Sequence, residues 1–480
     1  MKTLLINPPY QSLYRAVRFQ TPPLGLLYVA AFCERDGWPV DLHDMNVGST
    51  VDQDPDFRGY DVVGITAETS RIKPALRLAR LAKRAGARVV IGGPHAMFDA
   101  DAIFKTGDVD VIISGEGELT FLELMERYRD GAPVHDVRGI LYPGPIGRPV
   151  RTPGRPYPDD VDAYPFPARH LLHADHHKSW TLGGRRVVSI LSSRGCPYDC
   201  TFCSSAQFTG RGWRPRSPRS VVDEIEHCVK RYGYEGAVFV DDNFTLDPDR
   251  VIGICDEILA RKLDVRFWAL TRTDTIAHNE ELVKKMAEAG AFSFLLGIES
   301  PHQEVLDAFK KKSESTFADE SVALLKKHGI DSHASFIIGN LDESREMILE
   351  TIRYARRLNP ESAQFSILTP FPGTQLYNEN RDRIFEKDWD RYDTVHAVMA
   401  IDKVSPVEME GLLRRAYASF WLRPSKLWKG LFSRVRGKGL KVGAIFRMLR
   451  ALRENSLSER GYDPTARPAV VVPEAEVRAA

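Results

Sequence analysis

Short apolar runs of strand length alternate with helical stretches along most of this 480-residue chain, and that rhythm confines it to a parallel α/β architecture. Two adjacent parallel strands need a long crossover between them, usually a helix, so the alternation is a topological signal. In the first part the strand-like runs are residues 2–7, 39–43, 61–66, 88–91 and 111–113, with helical stretches at 24–36 and 72–85. A second set begins at Val187: residues 187–191, 237–240, 265–270, 292–297, 333–338 and 364–368, with helical stretches between them. Six βα units in succession predict a parallel barrel or partial barrel with its chemistry at the carboxyl-end face.

The domain organisation follows from that rhythm. We assign residues 1–135 to a first α/β unit, 136–185 to a connector with a small hairpin, and 186–380 to the barrel. Residues 381–455 read as a helical region and 456–480 as a frayed polar tail. Hydrophobic residues at 43% and charged residues at 27% are the composition of a folded, soluble chain. A net charge of +1 argues against a whole-surface nucleic-acid binder. Pro8 and Pro9 cut the amino-terminal apolar run too short for a secretory signal, and no apolar stretch approaches the roughly 20 residues of a membrane span. The expected location is the cytoplasm. Over 423–453 basic residues interleave with Trp428, Phe432 and Leu449 and no acidic residue occurs. This segment reads as a capping helix pair or, alternatively, as a peripheral contact with the inner membrane face.

The cysteines carry the chemistry. Cys196, Cys200 and Cys203 stand in a C-x3-C-x2-C spacing directly after the first strand of the second set. Three thiolates can hold three corners of a 4Fe–4S cube and leave the fourth iron open, whereas a structural zinc site wants four ligands. Cys33, Cys228 and Cys255 fall in helical patterns, where free cysteine behaves as a small buried hydrophobe.

The run Ser193-Arg194-Gly195-Cys196-Pro197-Tyr198-Asp199-Cys200-Thr201-Phe202-Cys203 resembles the signature of the radical S-adenosylmethionine (radical SAM) superfamily, over residues 187–375. The resemblance implies a partial (β/α)6 TIM-type barrel whose open iron chelates S-adenosylmethionine and cleaves it to methionine and a 5′-deoxyadenosyl radical. It also implies S-adenosylmethionine contacts at Phe202, at Asp242 and Asn243 after the second strand, and at Arg272, Glu299, Ser335 and Gly339 on later strand ends. Asp242 and Asn243 are equally good turn or cap residues. Where many relatives have a G-L-P-G-E-T-like turn, this chain has Gly339-Asn340-Leu341-Asp342-Glu343-Ser344. No catalytic residue is assigned beyond the cluster.

The first unit resembles the Rossmann-like cobalamin-binding domain that precedes many such barrels, through Asn7-Pro8-Pro9, Gly92-Gly93-Pro94-His95 and Gly115-Glu116-Gly117-Glu118. Small-residue turns let backbone approach a planar corrin closely. The resemblance implies cobalamin contacts at Asn7, Pro8, Pro9, Thr66, Gly92, Gly93, His95, Gly115, Glu116 and Gly117. Asp41-Leu42-His43 only begins the D-x-H-x-x-G motif, since Asn46 replaces its glycine, so a lower face without a histidine ligand is expected. The implied function is a cobalamin-dependent radical enzyme, related to the anaerobic magnesium-protoporphyrin ester cyclases and carbon methyltransferases. It functionalises an unactivated carbon of a small-molecule or lipid-like substrate, with a flavodoxin or ferredoxin as electron donor. The competing readings are a radical enzyme without functional cobalamin and a non-catalytic iron–sulfur sensor.

Overall fold

The computed structural model describes residues 1–10, 21–145, 148–182, 184–426, 442–453 and 456–457. Its first sheet has seven strands in the order β2-β1-β3-β4-β5-β6-β7. Strands β1 (Thr3–Asn7), β2 (Val40–Asp44), β3 (Val62–Thr66), β4 (Arg88–Gly92) and β5 (Val111–Ile113) run parallel. Side chains of β1 alternate between two cores: Leu4 and Ile6 meet the helix Ile72–Arg84, while Leu5 meets the helices Leu24–Arg35 and Glu118–Arg129. Helices on both faces bury the central strands completely, which is why they read as unbroken apolar runs.

The sheet does not stop at residue 135. The stretch read as a connector adds a hairpin, β6 (Ile140–Pro143) and β7 (Pro149–Arg151), antiparallel to β5. This covers an edge that a strand of three residues would otherwise leave open.

The second sheet is the curled partial barrel. Six strands run parallel: β9 (Arg185–Ile190), β12 (Gly236–Phe239), β13 (Arg266–Arg272), β14 (Ala291–Glu299), β15 (Asp331–Ile338) and β16 (Ser362–Ile367). A two-residue strand, β8 (Thr181–Leu182), pairs antiparallel with β9 at one edge. Phe239, Phe267, Phe294, Phe336 and Phe365, one from each of five strands, fill the layer between the sheet and its helices. At the other edge, Tyr417 on the helix Pro406–Trp421 caps β16: its hydroxyl donates to the Phe365 carbonyl at 2.9 Å and accepts from the Phe365 amide at 3.2 Å.

Beyond the barrel, Leu449, Leu452 and Leu457 pack into the same core, so protein covers that face of the helix Val442–Arg453. Trp428 and Phe432, and the tail from residue 458, lie outside the described residues. The segment 388–391 returns to the first unit, where Lys73 pairs with Asp388 and Asp390 and Trp389 meets His95 edge-on at 4.9 Å. Among the described residues no helix is long and apolar enough to cross a membrane. Cys33, Cys228 and Cys255 are buried, and burial pushes each thiol up to about 12.

A buried ion triad fastens the connector to the barrel. Arg169 donates to Glu224 Oε1 at 2.6 Å and to the Ser189 carbonyl at 2.7 Å, while Arg216 holds the other Glu224 oxygen. Burial alone would raise the Glu224 carboxyl, but the two guanidiniums hold it below its ordinary value. Removing the shared carboxylate strands both cations. We expect Glu224→Ala to cost about 3–5 kcal/mol, read as a lowered urea midpoint. A loss under about 1 kcal/mol, the scale of an exposed pair, would contradict this.

Candidate functional site

The carboxyl edges of the two sheets face one another across a cavity of about 440 Å³. The first sheet contributes Asn7, Thr66, Gly92, Gly93, Gly115, Glu116 and Gly117, and the barrel side contributes Ser193, Arg194, Gly195 and Asp242. Gly93 has φ +109°, and a Cβ there would lie 2.6 Å from the Ala67 carbonyl oxygen, so only glycine lets the turns after β3 and β4 meet.

Several residues expected at this wall have other work. The Asn7 side chain donates to Asp44 at 2.9 Å and accepts from Arg71 at 2.7 Å. Pro8 and Pro9 lie off the cavity wall, and the Pro8 carbonyl accepts from Asn46 at 3.0 Å. His95 is off the wall as well. The short helix Pro94–Phe98 carries it into apolar packing against Trp389, with its Nε2 3.5 Å from Asp99. Glu116 lines the cavity, yet its carboxylate pairs with Arg194 and Arg214. His43 bonds to the Gln53 carbonyl at 2.8 Å, and His176 to Asp44 at 2.7 Å. The wall also includes Tyr10, Glu68 and Arg71, which no motif in the sequence singles out, and Glu118 and Arg194, which stand in the two motifs without being assigned to it.

The cysteine loop is framed by a ribbon of two short strands, β10 (Ser193–Arg194) and β11 (Arg214–Pro215). Gly195 has φ +85° and a Cβ there would lie 2.3 Å from the Gly212 carbonyl oxygen, so the loop closes on itself through a position open only to glycine. Asp241, fully buried at the end of β12, holds the approach to the loop. It accepts from the Ser192 amide at 2.7 Å, the Ser192 hydroxyl at 2.6 Å and the Ser193 hydroxyl at 2.5 Å. Cys196, Cys200 and Cys203 are half-buried free thiols. Among the described residues no three His, Cys, Asp or Glu side chains converge on a single-ion site. A cube, by contrast, takes its thiolates at separate corners.

The strand ends around the loop divide into two kinds. Some have free polar capacity. Asp242 is exposed to the cavity, the protein packed around it raises its pKa by desolvation, and Thr209 donates to it at 3.4 Å. Asn243 is buried and its amide nitrogen has no partner. Phe202 meets Phe309 edge-on at 5.1 Å, forming an apolar shelf beside the loop.

The others are engaged by the protein itself. Arg272 pairs with Asp274 at 2.8 Å, donates to the Lys311 and Lys312 carbonyls at 2.8 and 3.0 Å, and lies over the Tyr198 ring at 3.8 Å. It therefore clamps the cysteine loop to the turn after Phe309. Glu299, in the left-handed region at φ +62°, pairs with buried Lys311 at 2.7 Å. A Cβ on Gly297 would lie 2.8 Å from both charged groups. Ser335 accepts from Gln364 at 3.0 Å. The Gly339 and Asn340 amides donate to Glu343 Oε2 at 2.6 and 3.1 Å, while its buried Oε1 has no partner.

This donor set suits the groups the sequence implies. Three thiols on a glycine-closed loop match a cube with one open iron, the orphaned Asn243 amide matches a polar ligand beside it, and the glycine-built wall matches a large planar macrocycle.

Comparison with known proteins agrees. The Radical SAM superfamily profile matches residues 190–355 and the B12 binding domain profile matches residues 11–125. An uncharacterized methyltransferase of Pyrococcus horikoshii is 35% identical over 90% of this chain and 95% of its own length. The anaerobic magnesium-protoporphyrin IX monomethyl ester cyclase of Rubrivivax gelatinosus is 30% identical over 89% of this chain and 78% of its own. The fold is shared with the radical S-adenosylmethionine methyltransferase TsrM of Kitasatospora setae, solved with cobalamin and a 4Fe–4S cluster bound. That likeness has a TM-score of 0.70 at 18% identity, over 94% of this chain and 99% of the other.

Glu343 yields a prediction independent of any cofactor. Burial raises its carboxyl from 4.5 to about 7, so the fold favours the protonated form. That stabilisation is complete below pH 4.5 and is lost as pH rises through about 7. Glu343→Gln stays neutral and keeps an acceptor for the two amides. Its stability relative to the parent should therefore rise by up to about 3 kcal/mol between pH 5 and pH 8, measured from urea midpoints. A difference that does not change with pH would contradict the assignment.

Proposed function

The chain belongs to the cobalamin-binding radical S-adenosylmethionine family, and from that membership we propose that it methylates an unactivated carbon of a small-molecule substrate. As a member it is an enzyme that takes a 4Fe–4S cluster, S-adenosylmethionine and cobalamin, and it draws on an electron donor. Bound together, these groups supply one-electron cleavage of S-adenosylmethionine and a carrier for a methyl group. The observation that carries the methylation reading is the shared cavity: the glycine turns of the first sheet and the start of the cysteine loop line one space, which supports a reaction in which both chemistries meet one substrate.

In this reading Cys196, Cys200 and Cys203 hold three irons. Asp242 and Asn243 receive the polar end of S-adenosylmethionine, and Phe202 offers its shelf to the adenine. Ser335 and the Gly339 turn border that site, while Arg272 and Glu299 act by holding the cysteine loop and the Lys311 turn in place. Thr66, Gly92, Gly93, Gly115 and Gly117 present backbone to the corrin, with Asn7 bracing the wall behind. The cobalamin unit spans the first 135 residues together with the hairpin that ends at Arg151, and the barrel spans 186–380. A flavodoxin or ferredoxin serves as the electron donor in a reducing, cytoplasmic setting. The P. horikoshii relative's name supports methylation, and the R. gelatinosus cyclase keeps oxidative ring closure as the second reading.

Anaerobic reconstitution with iron, sulfide and hydroxocobalamin, followed by desalting, tests the assignment. We expect near-stoichiometric cobalamin together with the broad iron–sulfur absorption band. Reduction with S-adenosylmethionine present, in cell extract supplying candidate substrates, should then yield 5′-deoxyadenosine together with S-adenosylhomocysteine. 5′-Deoxyadenosine alone would favour ring closure. Replacing Cys196, Cys200 or Cys203 by Ala should remove the absorption band and lower 5′-deoxyadenosine formation at least about 100-fold, since each ligand is needed to hold the cube. Undiminished cleavage after loss of the band would overturn the reading.

A further inference from the structure

Arg194 directly precedes Gly195 and Cys196, yet its side chain reaches out of the barrel into the first unit. The side chain is only 7% exposed; Nη2 donates to Glu118 Oε1 at 2.7 Å and Nη1 lies 3.3 Å from Glu116 Oε2. Two aromatic rings cover it, Tyr28 of the helix Leu24–Arg35 and Tyr164 of the connector, at 4.9 and 4.8 Å. Across the ribbon, Arg214 on β11 meets the other Glu116 oxygen at 2.5 Å and lies over Tyr157 at 4.4 Å. Both arms that frame the cysteine loop are thus tied to one turn, residues 115–118, and that turn is a wall of the cavity.

The chemistry of these contacts is that of a registration device. A planar guanidinium can engage two carboxylates and two rings at once in one orientation, which a lysine ammonium cannot. Buried charge pairs add little net stability, but a wrong alignment strands a charge, so they select one docking of the two units. The buried Arg194 Nε–H has no partner in the protein, which leaves a donor on a residue that lines the cavity.

We propose that Arg194 is a positioning residue that couples the two cofactor sites. Order in the cysteine loop fixes the 115–118 turn, and through that turn the affinity of the cavity for cobalamin; by thermodynamic reciprocity, cobalamin favours the ordered loop equally. The inference rests on the cobalamin reading above.

Hydroxocobalamin affinity, measured with and without the reconstituted cluster, tests it. The parent protein should bind about tenfold more tightly with the cluster than without, a coupling in the usual range. Arg194→Met should bring that ratio to within about twofold, and Arg194→Lys should restore part of it. In parallel, cluster assembly should slow amide hydrogen exchange at 115–118 in the parent and leave it unchanged in Arg194→Met. A parent ratio near one, or a ratio preserved in Arg194→Met, overturns the proposal. Should Arg194→Met fail to fold, Glu118→Gln keeps the shape, removes the charge pair, and is read the same way. Should no form bind hydroxocobalamin, the functional reading fails. Exchange at 115–118 then decides the coupling alone: slowing that depends on Arg194 supports it, and its absence overturns it.

Discussion

A guanidinium can be taken out of water only where acceptors surround it, and the architecture of this protein is organised by that requirement. Arg169, Arg194, Arg214, Arg216 and Arg250 are all buried, and all lie in or beside the segment that carries the cysteines. Arg169 and Arg216 share Glu224, Arg194 and Arg214 share Glu116, and Arg250 donates to the Arg216 carbonyl at 2.9 Å. All but the Arg216–Glu224 pair, eight residues apart, join parts of the chain far apart in sequence: first sheet to loop, connector to barrel, strand to helix. In this arrangement of the units each of the five guanidiniums has at least one acceptor.

Parallel sheets supply the rest. Every loop that follows a parallel strand emerges at the same edge, so each sheet gathers its small-residue turns on one side. Turning two such edges toward each other makes a cavity lined largely by backbone and by short side chains. Tight glycines then bring the segments closer than any side chain would permit, Gly93 against Ala67 and Gly195 against Gly212. The barrel's open side is finished by the Tyr417 hydroxyl, which occupies both hydrogen-bonding groups of Phe365 on the edge strand.

Much of this was legible in the sequence, for reasons of burial. Strands covered on both faces carry few polar residues in mid-run, so residues 61–66 or 237–240 announce themselves. The cysteine spacing is local, and so is the glycine pair at 92–93. What local pattern cannot convey is which distant residue completes a contact. Nothing near Arg194 foretells Glu118, 76 positions away, and nothing near His95 foretells Trp389. Arg272 and Glu299 stand at the expected strand ends, but their partners Asp274, Tyr198 and Lys311 turn them toward the loop that they support. The small hairpin within 136–185 was readable from its turn-forming prolines and glycines, but its pairing with β5, which makes it part of the first sheet, was not.

The return of residues 388–391 to the first unit has a consequence for how the protein is made. Lys73 and His95 belong to the part of the chain that leaves the ribosome first, whereas Asp388, Trp389 and Asp390 emerge only after every barrel strand. A nascent chain can fold its first sheet early, as amino-terminal units do. The turn Thr69–Arg71, which contributes Arg71 to the cavity wall, packs against Trp389–Arg391 and lacks that support until the chain has been made past the last barrel strand. This stretch of the cavity wall is therefore completed by residues made after the whole barrel, although the sheet that carries it is made before the barrel begins.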